Sequence, residues 1–596
     1  MNGRSGPSEA PWRSRFRAPR ANLPHWADDR PDRLLYRSNA SGKWELYAWD
    51  AEHDEHRQVT DRREGTVLGH LDPGGERIAW FDDTDGDEFG IWRSQPFGAD
   101  GRSAAEPLHE GLPAAYSSGL ALGRGRSVVA SSNDGENRID VVASDGEPRT
   151  VYRHVELAWL GALSRDDRLL AFHHSEHGDA RHPAVRAVDL ETGDVVGEVW
   201  DGREGSLSIG RWSPVAGDGR LIVHHERRGR QEPMIWDPQR GDEGLLRLDL
   251  AGELHAAWYP DARALLLRHD HAGRTSLFRY DLETDACTAL EAPPGTLAGA
   301  AARPDGEVWL EWSDAANAWS VRKLDGASVL APDGEPAPAG MPYADLRVGE
   351  IHSFVAAPPG SGPFPTIFLV HGGPESHVRD EFAPPVQAWV DHGFAVVLVN
   401  YRGSTGYGRA WRDAITGNPG FTEMEDLLAV RERVVADRLA DPDRLVLAGG
   451  SWGGYLTLLG LGMHPELWSA GLAIVPVADY IAAYEDEMEP LKAYDRSLFG
   501  GVSPTDDPER YRVRSPLTYI ERVRAPLLIL AGENDPRCPI RQIDNYIRRL
   551  EELGTRHEVR RFDAGHGSQR TDERIRHLEW QIDFLANHLG TTPRIP

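Results

Sequence analysis

The sequence predicts two domains of different build, an N-terminal seven-bladed β-propeller and a C-terminal doubly wound, mostly parallel α/β sheet. Three observations predict this. Residues 24 to 335 repeat a unit made of a polar turn, a β-rich run, a Gly- or Asn-containing turn and a second run. From about residue 341, apolar runs alternate with helix-patterned stretches. One of those runs ends in a serine enclosed by glycines, Gly449-Gly450-Ser451-Trp452-Gly453-Gly454. A chain of 596 residues is also too long for a single hydrophobic core.

In the repeated half, the first core residues of successive units are Leu34, Ile78, Val128, Leu169, Leu221, Leu265 and Val308, spaced 41 to 52 residues apart. Periods of roughly 40–50 residues with several strands per unit mark propeller blades, and seven units fit seven blades. An irregular β-sandwich would not keep such spacing. The second half carries "TIFLVHGG", "AVVLVNYRG", "RLVLAGGS", "LLILAGEND" and "EVRRFDAGH" as strands. Helical runs such as "FTEMEDLLAVRERVVADRLA" separate them. Continuous apolar strands between helices imply a parallel sheet covered on both faces. The Pro- and Ala-rich "PAPAGMPYADL" is the expected seam. The expected division is an extension over 1–23, a propeller over 24–340 and the α/β domain over 341–596.

Acidic residues outnumber basic ones 94 to 66, for a net charge of −28. That disfavours nucleic acid and anionic membrane as partners, and neither is expected. No run of 18 apolar residues exists, so no membrane span is expected. The first twenty residues lack the apolar core of a secretory signal. With only Cys287 and Cys538, a disulfide framework is not expected, and a cytoplasmic location is.

Gly449-Gly450-Ser451-Trp452-Gly453 satisfies G-x-S-x-G between a strand and a helix, the setting in which that motif presents a nucleophile. The pentapeptide alone recurs by chance; its setting makes it specific. A serine needs a base, and the base an orienting carboxylate. Asp535 follows the strand "LLILAG", and His566 lies in a Gly-flanked loop after "EVRRF". Both fall where an α/β sheet presents its groups, beyond strand carboxyl ends. The expected triad is Ser451, Asp535 and His566. An oxyanion needs donors, and the loop "HGGPESH" after a strand supplies one, expected at the N–H of Gly373, beside that of Trp452. The plain alternatives are a capping aspartate, one loop histidine among 24 and an ordinary turn.

The strings "HGGP", "NYRGSTGYG", "GGSWGGY", "ENDPRCP" and "AGHG", in that order over residues 371 to 567, closely resemble the prolyl oligopeptidase family of serine peptidases (S9), in its acylaminoacyl-peptidase-like branch. The resemblance implies an α/β-hydrolase domain roofed by the propeller, with an active site between them reached by short peptides or small amides. It implies that the segment before residue 22 packs on the hydrolase domain, and that Arg537 lines the cavity. The segment after the nucleophile helix would supply a substrate pocket from Val477, Tyr480 and Tyr484 with Trp452. Glu487, within the acidic run Glu485–Glu489, would attract an amine or basic side chain, unless the run is a solvated helix face. Trp452 stands where tyrosine is common in the family, and His371 where the prolyl-specific and dipeptidyl branches carry a tyrosine, so strict proline specificity is not expected.

No cofactor or metal is expected. The run His173, His174, His177 and His182 matches no standard ligand spacing, and no phosphate-binding glycine loop is present. Two other functions stay open at this stage: an amide or ester hydrolase of a small metabolite, and a propeller binding module with an inactive hydrolase. Monomer and homo-oligomer are both open.

Overall fold

The computed structural model describes residues 9–99, 105–133, 135–143, 146–203, 205–246 and 248–590. The first eight residues of the expected extension lie outside these. Among the described residues, the N-terminal half forms six antiparallel sheets. Five are separate four-stranded blades, spanning residues 25–58, 158–199, 207–245, 253–290 and 296–330. The sixth is an eight-stranded sheet over 69–154.

The expectation of seven separate blades is therefore corrected to five four-stranded blades and one sheet of double length. The strand Phe89–Pro96 pairs with Ala115–Leu122 through Phe89↔Tyr116 and Gly90↔Ala115, which joins the second and third repeats. Counting core residues by period does not register a link made by two backbone pairs. Apolar side chains fill the spaces between neighbouring sheets, as with Leu169 and Val185 against Trp212 and Val223. The ring closes where Leu34, Tyr36 and Trp49 of the first sheet meet Trp309, Val321 and Leu330 of the last. There Trp49 stacks on Trp309 at 6.1 Å.

The C-terminal half holds one eight-stranded sheet. Its strands are β1 (Ala344–Val348), β2 (Ile351–Ala356), β3 (Phe364–Val370), β4 (Ala395–Asn400), β5 (Ala440–Gly450), β6 (Ala470–Ile474), β7 (Leu527–Gly532) and β8 (His557–Phe562). Their order is β1-β2-β4-β3-β5-β6-β7-β8. β1 and β2 pair antiparallel, β2 pairs antiparallel with β4, and the rest run parallel.

Successive residues of the central strands serve opposite faces. Phe368, Val397, Leu445 and Leu447 belong to one core. Ile367, Val396, Val446 and Leu528 belong to the other. Both faces are covered, hence the continuous apolar runs. The helices divide accordingly. Among α1 (Pro11–Arg17), α2 (Pro384–Asp391), α3 (Phe421–Ala436), α4 (Trp452–Met463), α5 (Tyr480–Asp486), α6 (Glu489–Leu498), α7 (Ile540–Leu553) and α8 (Thr571–Leu589), the first core takes α3 to α7. The second takes α1, α2 and α8. Trp12 and Phe16 of α1 are buried in it, and Arg13 pairs with Glu579 of α8 at 2.7 Å. No helix among the described residues is long and apolar enough to cross a membrane.

The domains meet through charge. Arg181, on the propeller loop after Leu169–His174, has a side chain 1% exposed. It donates to Glu375 at 2.6 Å, Asp413 at 3.0 Å and Thr416 at 2.6 Å. Arg274 donates to Asp380 and Asp345, each at 2.9 Å. On the far side, Arg63 reaches Asp563 at 2.9 Å.

Candidate active site

Four carboxyl ends of parallel strands converge on one rim. β5 delivers Ser451, β7 delivers Asp535, β8 delivers His566 and β3 delivers the loop His371-Gly372-Gly373.

Ser451 has φ +55° and ψ −119°, a conformation that an L-residue adopts only when its surroundings impose it. They do so by backbone contact. A Cβ at Gly449 would lie 2.5 Å from the carbonyl carbon of Gly453, and one at Gly453 would lie 2.1 Å from the oxygen of Val370. At Gly454 it would lie 2.9 Å from the oxygen of Ile474. The glycines are therefore required by the close passage of β3, β5 and β6 around one turn. The turn is held from both sides, by Ser451 N–H donating to Ile474 O at 2.9 Å and by Tyr455 N–H donating to Ser451 O at 2.9 Å.

Asp535 is buried, and its carboxylate is fully engaged. Oδ2 meets His566 Nδ1 at 2.8 Å. Oδ1 accepts the N–H groups of Arg537 at 2.8 Å and Cys538 at 2.9 Å. An aspartate gripped this way fixes the imidazole ring and its tautomer. The propeller braces the histidine loop: a Cβ at Gly565 would lie 1.9 Å from Gly86 O, so the two loops touch backbone to backbone.

The β3 loop lies against the serine turn. A Cβ at Gly372 would lie 3.0 Å from Gly450 O, 3.4 Å from Ser451 Cβ and 3.8 Å from Trp452 N. Gly373 has φ +129°, which favours glycine. His371 supports this loop, with Nε2 to Ser404 Oγ at 2.9 Å and its ring stacked on Tyr401 at 4.2 Å. Burial pushes its imidazole down to about 4, so it is neutral.

The other anticipated residues are distributed as follows. Arg537 donates to Glu88 of the propeller, at 2.7 Å from Nε. Val477 is buried near Tyr480, whose ring contacts Trp452 at 6.3 Å, Tyr455 at 5.1 Å and Phe499 at 5.0 Å. Tyr480 is 1% exposed and belongs to the core. Tyr484 accepts from Arg496 at 3.1 Å. Of the acidic run, Glu485 and Asp486 both bind Arg541, and Glu489 binds Lys492. Glu487 alone turns inward: it is 5% exposed, and Oε1 has no hydrogen-bond partner among the described residues. Burial, then the neighbouring Asp495, pushes its carboxyl well above the usual range.

Asp535, Cys538 and His566 offer ligand atoms within 4.8 Å of one another. The Asp535–His566 hydrogen bond already occupies two of these groups, and burial pushes the Cys538 thiol up and keeps it protonated. The arrangement suits proton transfer better than metal ligation. The histidine-rich propeller run is built into structure. His182 lies between Asp179 at 2.9 Å and Asp413 at 3.4 Å. Burial alone would lower it, but the two carboxylates outweigh burial and push it up to about 9.

Sequence reasoning passed over Arg181, Ser404 and Glu423. Glu423 had a signal. It stands three residues after Gly420 at the head of α3, the spacing of a capping acid, and its carboxyl accepts Gly420 N–H at 2.7 Å.

Residues 381–592 match the family described as Prolyl oligopeptidase family. The acylamino-acid-releasing enzyme of Rattus norvegicus is 29% identical over 360 residues, which is 58% of this chain and 45% of that protein. The chain thus spans less than half the length of that curated relative. In fold it is similar to a puromycin hydrolase, with TM-score 0.82 at 22% identity, covering 99% of this chain and 98% of that one. It is also similar to a puromycin-hydrolyzing peptidase of Mycobacterium tuberculosis, with TM-score 0.81 at 21% identity, covering 99% and 97%.

Proposed function

We propose that the chain is a serine peptidase of the prolyl oligopeptidase family, whose pattern residues 381–592 match, and that it cleaves short peptides through Ser451, His566 and Asp535. The observation that carries this reading is the 2.8 Å Asp535–His566 hydrogen bond on the same sheet rim as a serine at φ +55°. His566 takes the proton of Ser451 as the oxygen attacks the scissile carbonyl. Asp535 stabilises the resulting imidazolium. The N–H groups of Gly373 and Trp452 receive the oxyanion, the amine leaves with the proton from His566, and water activated by His566 releases the acyl group.

In this reading Trp452 and Val477 wall the pocket, Tyr480 backs it, and Tyr484, Glu487 and Arg537 set its polarity. The inward carboxyl of Glu487, alone in its run without a basic partner, supports an aminopeptidase-like preference for a free amine. The division into 1–23, 24–340 and 341–596 accounts for the sheets and for the packing of α1 on α8. A cytoplasmic location is part of the same proposal.

A second reading has support. Fold neighbours named for puromycin hydrolysis favour the amide of a small metabolite, cut by the same groups. Amino-acid anilides, free and acetylated, together with a peptide length series, separate the two. The peptidase reading expects faster turnover with two to four residues and a loss confined to free-amine substrates in Glu487→Gln. Turnover of the smallest amides alone, with no gain from peptide length, would favour the metabolite.

A further inference from the structure

We propose that Glu423 is a positioning residue for the oxyanion donor at Trp452, acting through the indole ring. The proposal rests on the reading of Ser451 as nucleophile and Trp452 N–H as donor.

Glu423 is the third residue of α3 and is 0% exposed. Its Oε2 accepts Gly420 N–H at 2.7 Å, which locks the carboxyl to the head of the helix. Its Oε1 accepts Nε1–H of Trp452 at 3.2 Å. Gly420 has φ +87°, and a Cβ there would lie 2.1 Å from the Tyr455 hydroxyl, so the chain turns tightly under α4 at this point. The indole is bounded by Tyr455 at 4.9 Å and Tyr480 at 6.3 Å. The ring has one buried donor, and Glu423 accepts it. Rotating the indole away would leave that buried N–H without a partner, which is unfavourable.

Trp452 is also the first residue of α4, next to a serine at φ +55°. The peptide joining residues 451 and 452 carries the N–H that would meet the oxyanion. Fixing the side chain fixes that peptide from one side, and its carbonyl, Ser451 O, is held from the other by accepting Tyr455 N–H at 2.9 Å. Oxyanion donors act through such preorganisation.

The carboxyl also carries the means of its own detection. Burial pushes it up to about 8, against the lowering effect of the N–H donors. The titratable groups around it are Asp426 on the same helix, Tyr401 after β4, and Tyr455 and Tyr480. Asp426 is bound by Arg402 at 2.8 Å, and burial holds the three phenols neutral. Burial therefore favours the uncharged form of Glu423 below about pH 8, and its ionisation sets a negative charge behind the oxyanion donor, where it opposes the charge of the transition state.

The test is kcat and KM from pH 6 to 10 on one anilide substrate for the wild type, Glu423→Gln and Trp452→Phe, each checked by circular dichroism and fluorophosphonate labelling. Wild type is expected to lose about tenfold in kcat with a midpoint near pH 8, at nearly constant KM. Glu423→Gln removes that limb whatever its neutral rate. Trp452→Phe keeps the backbone N–H but deletes the indole donor, so the limb moves to higher pH. An unchanged limb in Glu423→Gln, or effects on KM alone, overturns the proposal. If Glu423→Gln does not fold, an unmoved limb in Trp452→Phe overturns it. A folded wild type that takes no label overturns instead the nucleophile reading beneath it.

Discussion

Replacing Arg181 by methionine removes one propeller side chain and tests whether the domains are locked by buried charge. Arg181 binds Glu375 at 2.6 Å, Asp413 at 3.0 Å and Thr416 at 2.6 Å from a position 1% exposed. Asp413 would keep Arg412 at 2.9 Å and His182 at 3.4 Å, but no other cation is within bonding reach of Glu375 among the described residues. Deleting one partner of a buried pair costs about 3–5 kcal/mol. The carboxylates are 27% and 22% exposed, so water recovers part of this, and the expected loss is about 3 kcal/mol. Equilibrium urea unfolding followed by tryptophan fluorescence measures it, with the two domains fitted as separate transitions. A double-mutant cycle with Glu375→Gln should return a coupling of about 2 kcal/mol. Glu375 lies two residues beyond Gly373, so kcat should also fall. A loss under about 0.5 kcal/mol with additive single effects would refute the claim that this pair joins the domains.

Two further outcomes follow from the same contacts. His182 is raised from 6.5 to about 9, so its contribution is fully present below pH 6.5 and is lost as pH rises through 9; it amounts to about 3 kcal/mol. Urea midpoints measured from pH 6 to 10 should show that decline in the wild type and lack it in His182→Gln. Asp535→Asn removes the charge that holds His566 Nδ1 and should lower kcat about a thousandfold with little change in KM, read from anilide turnover.

What the sequence made legible follows from which interactions are local. β5 was readable because Leu445 to Ala448 are continuously apolar, as burial on both faces requires. The serine turn was readable because each flanking glycine answers a steric demand made within the motif or by an adjacent strand. Asp535 and His566 were readable from their place after β7 and β8. The eight-stranded propeller sheet was not, because the pairing of Phe89 and Gly90 with Tyr116 and Ala115 leaves no periodic trace. Nor was Arg181, whose partners lie 194 to 235 positions away. The acidic run showed its charge but not its pairing: Arg541 claims Glu485 and Asp486 from α7 and leaves Glu487 as the inward member. Long-range charge pairing depends on three-dimensional neighbours, and one-dimensional patterns carry little of it.

Peptide-resolved mass spectrometry of the protein after a fluorophosphonate probe tests the central claim most directly. One adduct is expected, on Ser451, formed rapidly in the wild type and absent from Ser451→Ala. A folded wild type that stays unmodified, or carries its adduct on another residue, would contradict it.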